Sequence, residues 1–443
     1  MLDCTYRVQI SHQSGMLAKI ANLIAERDGL IGDMVTVNLG REATIRELTV
    51  EVADPDHAEQ LSDALGDIEG VKVLWHRDRA LMRHEGGKLE IDTRVEVNTL
   101  QDTRDVYTPG VARVAQTIAD DPSQAQRYTM IGRTVAICTN GTRVLGLGDV
   151  GPQASMPVME GKAVFYRQFA GISAMPILID ANDPDDFVET VKRIAPTFGG
   201  IHLEDISAPE CFEIERRLLD ELSIPVMHDD VHGTAVVTLA AAIVAARQSG
   251  IELREATVGQ IGLGAAGIGI AELGVEGGAD RVLASDPDES THERAREKGV
   301  EIVDLDELMA ESNVVVASTG QPGLLEPDMI RDGQVILALS NPDPEIRPDE
   351  ALEAGAAFAL DGSSVNNVLG YPGIFRGALL AGAENIDVQM KLAAAGAIAD
   401  LAEQSELVPD PLDPQVHKHV AEAVCGAAKE SGAARSELAA TTL

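Results

Sequence analysis

Apolar residues recur with two periods along the chain, and the change from one to the other marks out its elements. Residues 5–10, TYRVQI, read as a strand. From Ser14 to Ala25, Leu17, Ile20, Ala21 and Ile24 fall on one face of a helix. A turn at Asp28-Gly29 leads to a strand near Met34–Leu39, and a second strand covers Ala43–Val52. Asp54-Pro55 marks a turn, His57 to Leu65 a helix, and Val71–His76 a closing strand. The order βαββαβ predicts a ferredoxin-like unit, four strands backed by two helices. A polar segment from Arg77 to Asp92, with Gly86-Gly87, reads as linker. Beyond it strands and helices alternate to about residue 375, which predicts α/β architecture with mainly parallel sheets. From Arg376 the chain is Ala-rich and helical, interrupted by Pro409, Pro411 and Pro414. The expected organisation is a small unit at 1–80, a linker at 81–92, and an α/β domain at 93–235. A second α/β domain follows at 236–375, and helices of 376–443 pack back on the first.

The first unit resembles the ACT domain, a module that binds amino acids or similar effectors in metabolic enzymes. Its loop His12-Gln13-Ser14-Gly15-Met16-Leu17 carries a glycine where such modules let a ligand approach the backbone. The resemblance implies an amino-acid or other small effector. A dimerisation module without ligand is the alternative.

The strand Ala256–Ile261 runs directly into Gly262-Leu263-Gly264-Ala265-Ala266-Gly267 and then a helix to Glu276. This is G-x-G-x-x-G between strand and helix, the context of a Rossmann-type dinucleotide site. The first glycine allows the tight turn, the second close approach of pyrophosphate, and the third helix–strand packing. The helix N-terminus offers free N–H groups to phosphate. The next strand, Arg281–Ser285, ends at Asp286, placed to bind both ribose hydroxyls and repel the extra phosphate of NADP. The cofactor expected is therefore NAD. Strand ends at Val314–Thr319 and Val335–Leu339 carry Ser318, Thr319 and Gly320, and Ser340 and Asn341, on the ligand edge of the sheet.

Two acidic clusters follow apolar strands: Glu204-Asp205 and Asp229-Asp230. Carboxylates at buried strand ends are costly unless something positive meets them. A hard divalent cation, Mg or Mn, is one solution. Helix capping by Asp205 and Asp230 is the other. Lys162 stands in a Gly- and Pro-punctuated apolar stretch. A cation beside it would lower its pKa and suit it as a general base, whereas a plain surface lysine is the alternative. Arg143 has the fork that grips a carboxylate. Tyr107 reads equally as a core aromatic.

Charge narrows the partners. Asp and Glu number 72 against 35 Lys and Arg, a net charge of -37. Such a surface argues against nucleic acid and anionic membranes. Only nine residues are lysine. Abundant carboxylate with little lysine suggests adaptation to high salt, where the Debye length is about 3 Å at 1 M. Stability should then rise with salt. No run of about 18 apolar residues suggests a membrane span. The start lacks a basic stretch followed by an apolar run, so no signal peptide is read and a cytoplasmic location is expected. Cys4, Cys138, Cys211 and Cys425 show no C-x-x-C spacing and read as buried thiols.

Eight segments occur in the order found in the malic enzyme family, which this chain resembles from about residue 100 to 400. They are YTPGVA, RVLGLGDVG, PVMEGKA, LEDISAP, HDDVHGTA, GLGAAGIG, SNPDPE and VNNVLGYPGIFRGAL. The resemblance implies oxidation of malate by NAD and its decarboxylation to pyruvate, with Mg or Mn bound by Glu204, Asp205 and Asp230. It implies Lys162 as general base, Tyr107 as general acid and Asp229 as a residue tuning Lys162. Arg143, Asn341 and Asn367 would hold the malate carboxylates, with Asn366 beside them. It also implies a homodimer or larger assembly, because family active sites can borrow residues across subunits. Val231 stands where relatives often have Gln, and Asn140 where many have Asp; both leave the surroundings of the site in doubt. Three other readings remain: a malolactic enzyme, a regulated dehydrogenase of another hydroxy acid, and a non-catalytic amino-acid sensor. NADH accumulation separates the first, the paired acidic clusters disfavour the second, and the complete set of expected catalytic residues disfavours the third.

Overall fold

The computed structural model describes residues 1–144, 146–362, 365–403 and 406–435. Leu145 of the glycine-rich segment and residues 436–443, the end of the stretch predicted to be helical, lie outside the described residues. Two compact units are present, Met1–Glu90 and Ile91–Leu443.

In the first unit, β1 (Leu2–Ser11), β2 (Leu30–Leu39), β3 (Ala43–Val52) and β4 (Val71–Asp78) form an antiparallel sheet in the order β2-β3-β1-β4. Alternation in β1 turns Cys4, Tyr6, Val8 and Ile10 inward, where they meet Leu48, Val50 and Val52 of β3. Helix Met16–Glu26 adds Met16, Ile20 and Ile24 to this core, and helix Pro55–Gly66 adds Ala58, Leu61 and Leu65. The second helix begins at Pro55, two residues before the sequence places it, because the Asp54 carboxylate caps it by accepting from the His57 amide at 2.8 Å. This arrangement is ferredoxin-like. Further details depart from expectation. The polar segment contains a short helix, Arg79–His84, capped by Asp78, which accepts from the Leu81 amide at 3.0 Å. And β2 is an exposed edge strand that begins four residues earlier than its periodicity suggests.

The second unit holds two parallel sheets. The first has β5 (Thr134–Thr139), β6 (Ser173–Leu178), β7 (Gly200–Leu203) and β8 (Val226–His228) in the order β6-β5-β7-β8. The second has β9 (Thr257–Ile261), β10 (Arg281–Ser285), β11 (Glu301–Ile302), β12 (Val314–Ala317), β13 (Val335–Ala338) and β14 (Phe358–Asp361). Its order, β11-β10-β9-β12-β13-β14, is the doubly wound pattern of a Rossmann-type domain. Its strands are apolar on both faces, as a sheet covered on both sides requires.

Helix Thr234–Ser249 follows β8 and precedes β9. The segment Asp229–Ser249 has a mean hydropathy of 1.3 over its most apolar window, and 78 % of that window is buried, so it is a core helix. Helices Tyr371–Ala381, Val388–Leu401 and Pro414–Ser431 pack with it in one core. Small residues permit this: a Cβ at Gly373 or Gly377 would stand 2.7 Å or less from Val420 and the Ala421–Val424 turn. Pro414 opens a helix instead of breaking one, since its missing N–H falls in the first turn and Asp413 caps it. In contrast, helices Leu100–Val106 and Gly110–Asp120 bury none of their residues.

Strand direction sets the site. The carboxyl ends of β7, β8, β9 and β12 lead to Glu204, Asp229, Gly262 and Ser318 respectively.

Candidate active site

β7 delivers Glu204 and Asp205, and β8 delivers Asp229 and Asp230. Ligand atoms of Glu204, Asp205 and Asp230 lie within 4.8 Å of one another. Asp205 has φ 52°, a left-handed conformation uncommon outside glycine. That backbone is held from both sides: its amide donates to Asp230 Oδ2 at 2.9 Å, and its carbonyl accepts from the Arg143 amide at 3.1 Å. After β8 the chain makes a short π-helical turn, Asp229–Gly233, a geometry frequent at functional sites. Gly233 is required there, because a Cβ would stand 1.8 Å from Asp229 Oδ1. Neither Asp205 nor Asp230 caps a helix in the way the capping alternative supposes.

Lys162 lies on helix Gly151–Phe165 and is buried. Its Nζ is 2.7 Å from Asp229 Oδ2 and 3.1 Å from Glu204 Oε1. It also sits 4.6 Å from the centroid of the Tyr371 ring. Burial alone would lower the ammonium's pKa, but Asp229 and Glu204 outweigh burial and hold it well above the usual lysine range. Burial pushes Asp229 up to about 6 against the pull of Lys162. Glu204 is raised further, by burial and by the crowding of Asp230, Asp229 and Asp205, with Lys162 opposing. Four acids around one ammonium leave surplus negative charge in a buried place. A divalent cation at Glu204, Asp205 and Asp230 would neutralise it, so these residues fit such an ion. The same ion would loosen the carboxylates' hold on Lys162, as a general base requires.

A cavity of about 500 Å³ opens on this cluster. Arg143, Lys162, Glu204, Asp205 and Asp230 line one part of it, and Gly264, Ala265, Ala266 and Ser318 another. Asn366 and Asn367 close the wall between them, beside Tyr371. Asn366 is fixed by its side chain, which accepts from the Val368 amide at 3.0 Å. Asn140 fixes the turn before Arg143: its Oδ1 accepts from the Thr142 hydroxyl at 2.8 Å.

The glycine-rich turn has the form a dinucleotide needs. Gly262 takes φ 87°, and a Cβ on Gly267 would stand 1.9 Å from the Gly262 carbonyl oxygen. At Gly264, by contrast, a Cβ would meet nothing within 4 Å, which leaves open room before helix Ala265–Glu276. The residues fit pyrophosphate at a helix N-terminus. Asp286 ends β10, its Oδ2 accepting from the Leu263 amide at 2.6 Å and its Oδ1 from the Asp288 amide at 2.8 Å. Thr319 and Ser340 are tied together by the buried Glu345, which accepts from the Thr319 amide at 2.7 Å; Gly320 donates to Ser340 Oγ at 2.8 Å.

Two residues expected at the site are elsewhere in a single chain. Tyr107 ends helix Leu100–Val106, is 70 % exposed and does not line the cavity. Asn341 is exposed next to Gly362 and is also absent from the lining. Other residues were not singled out from sequence. His202 lies under Glu204, with its Nε2 2.6 Å from Glu204 Oε2 and its Nδ1 2.8 Å from the Tyr166 hydroxyl. Two-residue spacing on β7 puts His202 and Glu204 on one face, a signal that was available. Tyr371 lay inside a segment already noted for its asparagines. Glu215 accepts from the His228 amide at 2.7 Å and from His232 Nε2 at 3.0 Å; nothing in the sequence pointed to it.

Residues 87–219 match the family described as malic enzyme, N-terminal domain, and residues 232–321 match the NAD binding domain of D-isomer specific 2-hydroxyacid dehydrogenases. The malic enzyme of Pyrococcus horikoshii has a similar structure, with a TM-score of 0.77 and 37 % identity, covering 81 % of this chain and 92 % of that one. The bifunctional malic/malolactic enzyme of Bacillus subtilis is 43 % identical over 81 % of this chain and 94 % of its own length. NAD-dependent malic enzyme 1 of the same organism is 50 % identical over 95 % of this chain and 96 % of its own length. Likeness of that extent, together with a lysine between two acidic strand ends and a facing dinucleotide turn, makes this chain a member of the malic enzyme family.

Proposed function

We propose that the chain oxidises (S)-malate with NAD and decarboxylates it to pyruvate and carbon dioxide, using Mg or Mn. The observation that carries this reading is Lys162. Its Nζ contacts Asp229 and Glu204 on a cavity that the acidic cluster and the glycine-rich turn both line. Arg143, with Asn367 and Asn366, grips the malate carboxylates at the cavity wall. Lys162 takes the substrate hydroxyl proton, and Asp229 steadies the amine through its Oδ2. When bound, NAD supplies the hydride acceptor, and a divalent ion at Glu204, Asp205 and Asp230 supplies the Lewis acid that makes loss of carbon dioxide easy. A tyrosine then protonates the enol carbon. Asp286, fixed by two amides, favours NAD, since a carboxylate there repels a 2′-phosphate.

The assay is absorbance of reduced nicotinamide at high salt, with malate, NAD or NADP, and Mn present or chelated. NADH equal to pyruvate, lost on chelation, is expected. Lactate without NADH would favour the malolactic reading, which the Bacillus subtilis bifunctional relative keeps open. The N-terminal unit supports an effector role: Gly15, at φ 85°, opens the helix Met16–Glu26 with free space where a Cβ would be. Repeating the assay with added amino acids tests that role. Unchanged rates would leave the unit with dimerisation alone.

The acid is Tyr107, supplied by a second copy of the chain. Its helix and the next one bury nothing in one chain, although apolar Leu100, Val106 and Val111 are exposed along them. Hybrids decide this. Lys162→Ala and Tyr107→Phe should each lose activity roughly 10²- to 10⁴-fold. Mixed and co-refolded, they should recover part of it, because one site of the hybrid keeps both residues. No recovery would move the acid to Tyr371, which lines the cavity within the same chain.

A further inference from the structure

Glu204 is only 3 % exposed, and one of its oxygens points away from the cavity into an apolar interior. There Oε2 meets His202 Nε2 at 2.6 Å, and His202 Nδ1 meets the Tyr166 hydroxyl at 2.8 Å. Both His202 and Tyr166 have no exposed surface. The imidazole is boxed by rings: stacked on Phe375 at 5.7 Å, and edge-on to Tyr371 at 5.3 Å and Tyr166 at 5.8 Å.

We infer that Tyr166 and His202 form a one-way hydrogen-bond chain that positions Glu204 for the divalent ion. The direction follows from the partners. A carboxylate that holds a divalent ion is ionised and only accepts, so with the ion bound Nε2 carries the proton and donates it to Glu204. Nδ1 is then an acceptor, and the Tyr166 hydroxyl donates to it. The chain fixes one oxygen of Glu204 and turns Oε1 toward Lys162 and the cavity. Without it, Oε2 would lose its partner in the interior, and nothing would hold the carboxylate turned toward the cavity. His202 and Tyr166 do not line the cavity and act through Glu204. The inference rests on the reading of Glu204, Asp205 and Asp230 as the cation site.

The test is binding of Mn²⁺ alone to the whole protein without malate or NAD, read from the free Mn²⁺ signal by electron paramagnetic resonance. His202→Phe keeps an aromatic ring in the box and removes the donor. His202→Gln places an amide N–H close to where Nε2 stood. Tyr166→Phe removes only the far hydroxyl. His202→Phe should bind Mn²⁺ about 10- to 100-fold more weakly, as loss of a partner behind a ligand does. Tyr166→Phe should lose less, and His202→Gln should recover most of the affinity. Wild-type affinity in both His202→Phe and Tyr166→Phe would overturn the inference. Equal weakness of folded His202→Gln and His202→Phe would also overturn it, since returning an N–H donor to the place of Nε2 would then restore nothing. If His202→Phe does not fold, Tyr166→Phe against His202→Gln decides the same question. A wild-type protein that binds no Mn²⁺ would instead sink the cation site itself.

Discussion

Two glycines near the cavity separate packing from ligand room at the scale of single atoms. At Gly233 a Cβ would stand 1.8 Å from Asp229 Oδ1, although its φ of -64° suits any residue. Gly233→Ala must therefore displace Asp229, the partner of Lys162. We expect it to lose stability by about 1–3 kcal/mol, as overpacking does. Turnover should fall much more than thermal stability suggests, because Lys162 loses its anchor. At Gly264 a Cβ would meet no atom within 4 Å. Gly264→Ala should melt within about 0.5 kcal/mol of wild type, yet raise KM for NAD, since its methyl fills the space meant for pyrophosphate. A KM for NAD that did not move would mean the phosphates lie elsewhere. Both substitutions add one methyl group, so the contrast between them isolates what that methyl meets.

Among elements, helix Glu210–Glu221 is tied to the acidic strand end by one carboxylate. Glu215 holds the His228 amide and His232, and Lys391 of helix Val388–Leu401 meets His232 Nδ1 at 3.0 Å. Burial would raise the Glu215 pKa, but His232, Lys391 and His228 outweigh it and bring it to about 2. A folded-state pKa below the ordinary value means that the ionised form favours folding. Its contribution is full above the ordinary carboxylate range near pH 4.5 and fades as pH falls toward 2. Glu215→Gln should thus be less stable than wild type by roughly 2 kcal/mol at pH 7, with the gap closing progressively as pH falls from about 4.5 toward 2. Thermal melts across that range check it, and a gap unchanged by pH would contradict the charge argument. Elements were largely legible in the sequence because period acts locally: the strand β1 and the glycines between β9 and its helix stand as expected, whereas Asp54-Pro55, read as a turn, caps and opens the second helix. Residues at strand ends were legible for the same reason, since β7 and β8 carry their acids together. What sequence could not give depends on distant partners. Glu215 is surface-like on an amphipathic helix until β8 packs over it. Tyr107 carries the family motif, yet a single chain leaves it in solvent. The short helix at Arg79–His84 was missed because its cap, Asp78, lies within a strand.

At the scale of the whole molecule, charge dominates. A net charge of -37 sits on a chain whose lysines number nine. Two of them, Lys162 and Lys391, are spent inside the second unit on the cavity and on the Glu215 tie. The other 33 Lys and Arg face 72 Asp and Glu, so folding brings like charges together and low salt should destabilise the protein. Screening shrinks the Debye length from about 10 Å at 0.1 M to about 3 Å at 1 M. The thermal midpoint should therefore rise steeply with KCl up to about 1 M and more slowly beyond, where only general salt effects on burial remain. Glu276, Glu297 and Glu353 are exposed in the last turns of their helices, where an acid opposes the helix dipole. Replacing all three with Lys removes six units of negative charge, two at each position, and puts cations where the dipole favours them. Each change is worth about 0.3–1 kcal/mol at low ionic strength. The triple variant should melt higher than wild type in low salt and gain less from KCl, the two curves converging above about 1 M. If instead both proteins gained equally at every concentration, the salt would be acting on apolar burial, and the acidic surface would have to be explained by solubility and not by stability.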